Sequence, residues 1–138
     1  MEIRNFSFEN LDAYGKIREL IKNVYRLQNC FPKEERFGLG DQLRRAVVSV
    51  SANLAEGSGR NSLKEKIHFV EISYGSLMEV LSQLQIAMDL RYITQEQYEA
   101  QHTKIENLSY KLYALRRSFI TPDNKPRSNK QLTAVKPQ

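Results

Sequence analysis

The sequence contains little cysteine and no long apolar run. Cys30 is the only cysteine among 138 residues, which excludes an internal disulfide and favours a reducing compartment. No stretch approaches the roughly 20 apolar residues that cross a bilayer. The first residues, Met1 to Phe6, lack the basic flank and apolar core of a secretory signal. These absences predict a cytoplasmic protein with no membrane partner.

Residue patterns that bind metals or nucleotides are also missing. His68 and His102 have no second histidine four residues away and no clustered cysteines, so the spacing of a zinc site is absent. The glycines of Gly57-Ser58-Gly59-Arg60 are not followed by the lysine and the serine or threonine of a nucleotide-binding loop. The sequence therefore predicts no metal, no cofactor and no enzymatic activity.

The charge is basic but unevenly distributed. The formal net charge is +5, of which residues 122–138 hold +3, from four basic residues and one acidic residue. The remaining 121 residues carry only +2. So small a net charge on these 121 residues is weak evidence for nucleic-acid binding unless several copies assemble.

Apolar residues at helical spacing predict four helices and no strand. The predicted spans are about 11–28, 41–56, 63–90 and 95–120. Thr94 and Gln97 have the spacing of a capping box before the fourth helix. Residues 122–138 are polar and interrupted by proline, which predicts a disordered tail after a single domain, residues 1–121. The expected fold is all-α, an antiparallel up-and-down four-helix bundle.

The turn between the second and third predicted helices organises the chain. Gly57 and Gly59 follow an apolar run, where a residue without a Cβ can adopt a left-handed conformation and end a helix. Ser62 and Glu65 then have the spacing of a capping box, which begins the next helix. This short segment therefore fixes how two helices meet.

The third predicted helix carries two edges whose residues recur alternately every three and four positions. The first is apolar throughout: Val70, Tyr74, Leu77, Leu81, Leu84 and Met88. The second is apolar at its ends and polar in the middle: Phe69, Ile72, Ser76, Glu79, Gln83, Ile86 and Leu90. Helices three and four would span about 42 and 39 Å, against about 27 and 24 Å for helices one and two. Because the shorter pair cannot cover both edges, self-association is expected.

Polar residues share one face on each of helices two and three. They are Arg45, Ser49, Asn53 and Glu56 on the second helix, and Ser76, Glu79 and Gln83 on the third. If these faces meet, they form a hydrogen-bonding network that fixes the register between helices or subunits. The alternative is a catalytic carboxylate pair, Glu56 and Glu79, for which no nucleophile, metal cluster or second base offers support.

Six basic residues are candidate nucleic-acid contacts: Arg44, Arg60, Lys64, Lys111, Arg116 and Arg117. Arg60 and Lys64 flank turn amides that could bind a phosphate. On helix four, Tyr110 and Tyr113 lie among the cations, a combination that binds single strands by stacking and phosphate contacts. Such tyrosines also occur at ordinary helix interfaces.

Four segments resemble a known family. They are Phe31-Pro32-x-Glu34-x-x-Phe37-Gly38-Leu39, Gln42-Leu43-Arg44-Arg45-Ala46, Ser49-Val50-Ser51-Ala52-Asn53-Leu54-Ala55-Glu56-Gly57-Ser58-Gly59-Arg60 and Gly75-Ser76-Leu77-x-Glu79. Over about residues 8–119 the chain resembles the four-helix-bundle proteins encoded by 23S rRNA intervening sequences. The resemblance implies a bacterial bundle that forms a ring-like homopentamer and has no established catalytic activity. Its signature residues, which have no assigned chemical role, are Asn53, Glu56, Gly57, Gly59, Arg60, Gly75, Ser76 and Glu79.

The chain is also similar to the accessory variability protein of diversity-generating retroelements, whose basic pentamer binds a reverse transcriptase and nucleic acid. The body of this chain is less basic than that branch implies. One hypothesis is a non-enzymatic oligomer that binds RNA or DNA, in which five copies of charge +5 would carry +25. The alternative is a structural or adaptor protein that recruits another protein, such as a nucleic-acid enzyme.

Overall fold

The computed structural model describes residues 5–120, which form four α-helices and no strand. The helices are α1 (Asp12–Gln28), α2 (Leu39–Ser58), α3 (Leu63–Asp89) and α4 (Gln95–Ile120). Short 3₁₀ turns at Ser7–Asn10 and Lys33–Glu35 precede α1 and α2. The expected all-α fold is confirmed, with each helix beginning and ending within two residues of its predicted span. The predicted tail, residues 122–138, lies outside the described residues.

The four helices pack in chain order and form a closed bundle. Each helix contacts the next one, α1 also contacts α4, and α1 does not contact α3. Short connections make sequential helices antiparallel neighbours. We call the end that contains the α2–α3 turn the Arg60 end. The opposite end, with the α1–α2 loop and the α3–α4 turn, is the Phe37 end.

The core-facing line of α3 differs from the predicted apolar edge. Ser73, Val80 and Ala87 are buried in the core, whereas Tyr74 and Met88 are only half-buried. The reason is that α3 packs most extensively against α2, which turns its core face towards that helix. The inward edge of α3 is therefore Val70, Ser73, Leu77, Val80, Leu84 and Ala87.

Gly57 has a different role from the predicted one. α2 continues through Gly57 to Ser58, and no glycine among residues 5–120 has a positive φ, so the predicted left-handed stop is wrong. A Cβ on Gly57 would lie 2.7 Å from the Cβ of Phe69, which no packed pair of residues tolerates. Gly57 is needed because α2 and α3 approach each other closely there. At Gly59 a Cβ would meet its nearest neighbour at an ordinary 3.5 Å.

The turn between α3 and α4 uses a left-handed residue that is not glycine. Arg91 has φ 62°. The amide of Arg91 donates to the carbonyl of Met88, and the amide of Tyr92 donates to the carbonyl of Ala87, which is the hydrogen-bond pattern of a Schellman motif. Thr94 and Gln97 then form the expected capping box, because the side chain of each accepts the backbone amide of the other.

A side-chain hydrogen bond joins the two connections at the Phe37 end. The Tyr92 hydroxyl donates to Glu35 Oε2 at 2.9 Å, and the Tyr92 ring lies 5.4 Å from the ring of Phe31. This hydrogen bond is the main reason that the pKa of Tyr92 is raised, with burial contributing less. The loop after α1 is thereby fixed to the turn before α4.

Candidate functional site

Three of the predicted network residues meet between α2 and α3. Ser49 Oγ and Ser76 Oγ lie 2.9 Å apart. Asn53 Nδ2 donates to both the Oγ and the backbone carbonyl of Ser49, at 2.9 Å each. The buried Ser73 hydroxyl, which sequence reasoning missed, donates to the carbonyl of Val50 at 2.7 Å. These bonds fix the register of the two helices.

The other polar residues of these faces do not join that network. Arg45 is exposed and pairs with Asp41 of its own helix at 2.9 Å. Glu56 pairs with Arg60 at 2.7 Å. Glu79 is exposed on the outer side of α3.

The proposed catalytic pair of Glu56 and Glu79 is not formed. Because Ser49 faces Ser76 in an antiparallel pair, Glu56 lies near the level of Phe69. Glu79 is ten residues further along α3, which corresponds to about 15 Å of helix rise. The two carboxylates therefore do not share a cleft, and the geometry does not support the alternative of a catalytic pair.

The second predicted edge of α3 is exposed along much of its length. We call Ile72, Ile86 and Leu90 the outward edge; their exposed fractions are 36, 45 and 50%. Gly75 lies on the same side, and a Cβ built there meets nothing within 4 Å. On α2, Val48 and the small Ala52 are also exposed. Within residues 5–120 no helix covers this surface.

Gln83 stands at the border between the outward edge and the core. Its side chain is 7% exposed, and its Oε1 atom has no hydrogen-bond partner. A buried carbonyl oxygen without a partner costs about 1–3 kcal/mol of stability. Gln83 is predicted to belong to the polar network, but no residue of that network donates a hydrogen bond to its Oε1 atom.

Most of the six predicted nucleic-acid contacts are held by acidic or carbonyl partners. Three acid pairs join Arg60 to Glu56 at 2.7 Å, Lys111 to Asp12 at 2.5 Å and Arg116 to Glu71 at 3.8 Å. The Arg60 guanidinium also lies 4.8 Å from the Phe69 ring centre. The hydrogen bond and charge of Lys111 lower the pKa of Asp12.

The six contacts do not form one surface. Arg44 is half-buried at the Phe37 end, where it donates to the Arg36 carbonyl at 2.8 Å and to Gln28 Oε1. Lys64 is exposed at the start of α3, and Arg117 is half-buried near the end of α4, both towards the Arg60 end. On helix four, Tyr110 remains 40% exposed. Burial is the main cause that raises the pKa of Tyr74, and the nearby Tyr110 contributes less.

Sequence reasoning missed a different basic surface. Arg18, Lys22 and Arg26 recur every fourth residue on α1, so they share one exposed face. Within residues 5–120 none of the three takes part in an ion pair. The four-residue spacing was visible in the sequence, but the absence of acidic partners required the fold.

The described residues offer no metal site and no membrane span. No group of three or more histidine, cysteine, aspartate or glutamate side chains lies close enough to hold a metal ion in this part of the chain. His68 packs on the ring of Phe69, and His102 on the ring of Tyr98. None of the four helices is long and apolar enough to cross a bilayer.

Comparisons with known proteins identify the family. The profile of the 23S rRNA-intervening sequence protein family matches residues 9–114. A crystal structure of a protein of unknown function from the S23 ribosomal protein family of Bacteroides thetaiotaomicron has a similar fold, with a TM-score of 0.70. The alignment covers 76% of this chain and 95% of that one at 23% identity. No curated protein matches. Because the family profile spans most of the chain, this protein belongs to the 23S rRNA-intervening sequence protein family.

Proposed function

We propose that this protein is a non-enzymatic helical bundle that self-associates and binds RNA as an oligomer. The observation that carries the proposal is the outward edge of α3, where Ile86 and Leu90 are exposed one turn apart, Ile72 is exposed further along the same side, and no helix within residues 5–120 covers them. Soluble proteins seldom leave such lines open unless they form an interface. A second copy is the partner we favour, since every copy presents this surface at the same concentration.

The proposed assembly is a ring of five copies. A ring requires a heterologous contact, in which the outward edge of one copy meets a different surface of the next. The small residues Ala52 and Gly75 next to the edge allow a neighbouring helix to approach closely. The family resemblance favours five copies.

Self-association also supports RNA binding. One copy has a net charge of +5, whereas five copies would bring +25 into one particle. Attraction of a polyanion rises with the number of phosphates that are neutralised together. The separation of Glu56 from Glu79 supports a binding role over a catalytic one.

The test measures RNA affinity and oligomer mass together. A labelled RNA is titrated with the wild-type protein and with the double variant Ile86→Glu/Leu90→Glu at increasing salt. We expect wild-type affinity to fall steeply with salt, and the variant, which loses multivalency, to bind more weakly at the same protomer concentration. Undetectable or salt-independent binding by the wild-type protein would contradict the RNA-binding role.

One observation favours an adaptor role as a second candidate. Phe37 is 85% exposed at the tip of the α1–α2 loop, with the Arg36 guanidinium 5.5 Å from its ring centre. Exposed aromatic residues beside arginine are typical anchors of protein interfaces. If the protein is an adaptor, a partner protein captured from cells should resist nuclease treatment and be lost with Phe37→Ser.

A further inference from the structure

The outer face of α1 is a line of cations that have no acidic partner within residues 5–120. Arg18, Lys22 and Arg26 are each one helical turn apart, which places their Cα atoms about 6 Å apart along the helix. Glu19 is the one acidic residue of α1 near this line. It lies three residues before Lys22 and seven before Arg26, so it stands beside the line, but within residues 5–120 it forms no ion pair.

The line of cations leads into a cleft at the Phe37 end. The cleft has a volume of about 490 Å³ and lies between the last turn of α1 and the α1–α2 loop. Its walls include Tyr25 from the last turn of α1, Asn29 directly after that helix, and Lys33 and Arg36 from the α1–α2 loop. Tyr25 follows Lys22 by three residues and precedes Arg26, so the cations and the cleft form one continuous surface.

The cleft presents more positive than negative charge. Lys33, Arg36 and Arg44 line it, against the single carboxylate of Glu35. Both oxygens of Glu35 already accept hydrogen bonds, Oε2 from the Tyr92 hydroxyl at 2.9 Å and Oε1 from the Leu39 amide at 3.4 Å. The carboxylate therefore serves to hold the loop, and an anion entering the cleft would meet chiefly cationic side chains.

An aromatic ring stands where the cations and the cleft meet. Tyr25 is 40% exposed. Single-stranded nucleic acids are bound by grooves that combine cations for the backbone with aromatic rings on which bases stack. A duplex cannot use such a ring, because its bases are already stacked on one another.

We propose that the outer face of α1 and the adjoining cleft bind single-stranded RNA. Arg18, Lys22 and Arg26 would contact successive phosphates, and one unstacked base would enter the cleft against the Tyr25 ring. This site rests on the RNA-binding function proposed above and gives it a location that differs from the predicted contacts on α4. Because α1 does not contact α3, the site lies away from the outward edge of its own copy.

The first experiment compares two triple variants of the full-length protein that remove the same amount of charge. One is Arg18→Gln/Lys22→Gln/Arg26→Gln. The matched control removes three cations that already have acidic partners: Arg60→Gln/Lys111→Gln/Arg116→Gln. Each is titrated against a labelled mixed-sequence single-stranded RNA over a range of salt, with circular dichroism and light scattering as checks of fold and mass.

We expect the α1 variant to lose most of its affinity. The slope of log Kd against log salt should become smaller by about 2, since each phosphate contact to a single strand contributes about 0.7. The control variant should keep most of that slope. Equal losses in the two variants would overturn the site, because binding would then follow net charge alone. Dissociation of the oligomer by the α1 variant would also overturn it, since the face would then be a contact between copies.

The second experiment tests stacking. Tyr25→Leu should weaken single-stranded RNA binding about tenfold or more, while Tyr25→Phe should bind as the wild-type protein does. Duplex RNA of the same length should bind more weakly than the single strand and should not respond to Tyr25→Leu. A single-stranded DNA arm shows whether the sugar matters. If the wild-type protein binds RNA but Tyr25→Leu has no effect, the stacking site is wrong while the proposed function stands; if the wild-type protein binds no RNA, both are wrong.

Discussion

The two edges of α3 belong to one helix but have opposite surroundings. The inward edge, which includes Leu77, Val80 and Leu84, is fully buried by the other helices. Ile86 and Leu90 of the outward edge belong to the same helix and are about half exposed. Spacing alone therefore says which residues share a face, whereas the packing of the neighbouring helices decides which face is covered. Within residues 5–120 the outward edge is the one that no other helix covers.

The largest expected effect comes from the inward edge. Leu84→Ala removes a fully buried side chain from the core. Because the surrounding helices can only partly fill the cavity, we expect the free energy of unfolding to fall by about 2–5 kcal/mol. Urea denaturation followed by circular dichroism measures this change. A loss no larger than that of a surface substitution would show that α3 packs by another face.

The next effect concerns the crossing of α2 and α3. Gly57→Ala places a Cβ where the Phe69 Cβ lies 2.7 Å away, so the two helices must separate. We expect a loss of about 1–3 kcal/mol in the free energy of unfolding, despite the better helix propensity of alanine. Gly59→Ala is the matched control, since its Cβ meets only an ordinary contact. Equal stability of the two variants would contradict the close crossing.

A smaller effect is expected at the border between the two edges. Gln83→Met keeps the length of the side chain but removes the buried Oε1 atom that has no hydrogen-bond partner. We expect the free energy of unfolding to rise by about 1 kcal/mol. Gln85→Met is the control, because Gln85 Nε2 donates to the Tyr98 hydroxyl at 2.9 Å and that bond would be lost. Destabilisation by Gln83→Met would show that its carbonyl is satisfied in the assembled protein.

The smallest effect on folding is expected at the outward edge. Ile86→Glu/Leu90→Glu changes side chains that are about half exposed, so the monomer should lose less than about 0.5 kcal/mol per site. The oligomer mass should nevertheless fall. Leu63→Glu, at 42% exposure outside this edge, should leave the mass unchanged. If the double variant keeps the wild-type mass, the outward edge is not the interface between copies.

The sequence was sufficient to predict the four helices but not the core face of α3. Ser73 and Ala87 are polar or small, so they do not mark a core position by themselves, yet both are buried. The sequence correctly predicts that position 57 requires glycine, but the reason is close contact with Phe69 and not a left-handed backbone. A glycine in a sequence does not distinguish these two requirements.

The basic candidates show a second limit of sequence reasoning. Lys111 and Asp12 are far apart in the chain but form an ion pair in the fold. Such partners cannot be recognised from spacing within one helix, so paired and unpaired cations appear equivalent in the sequence. For this reason the cations of α1 were missed, while several paired ones were predicted to contact nucleic acid.

The most direct test of the outward edge as an interface is the mass of the wild-type protein in solution, measured by light scattering from micromolar to millimolar concentration. We expect a constant multiple of the 16.1 kDa protomer, about 80 kDa for a ring of five. A protein that stays at 16.1 kDa across the whole range, with the outward edge open to water, would contradict it.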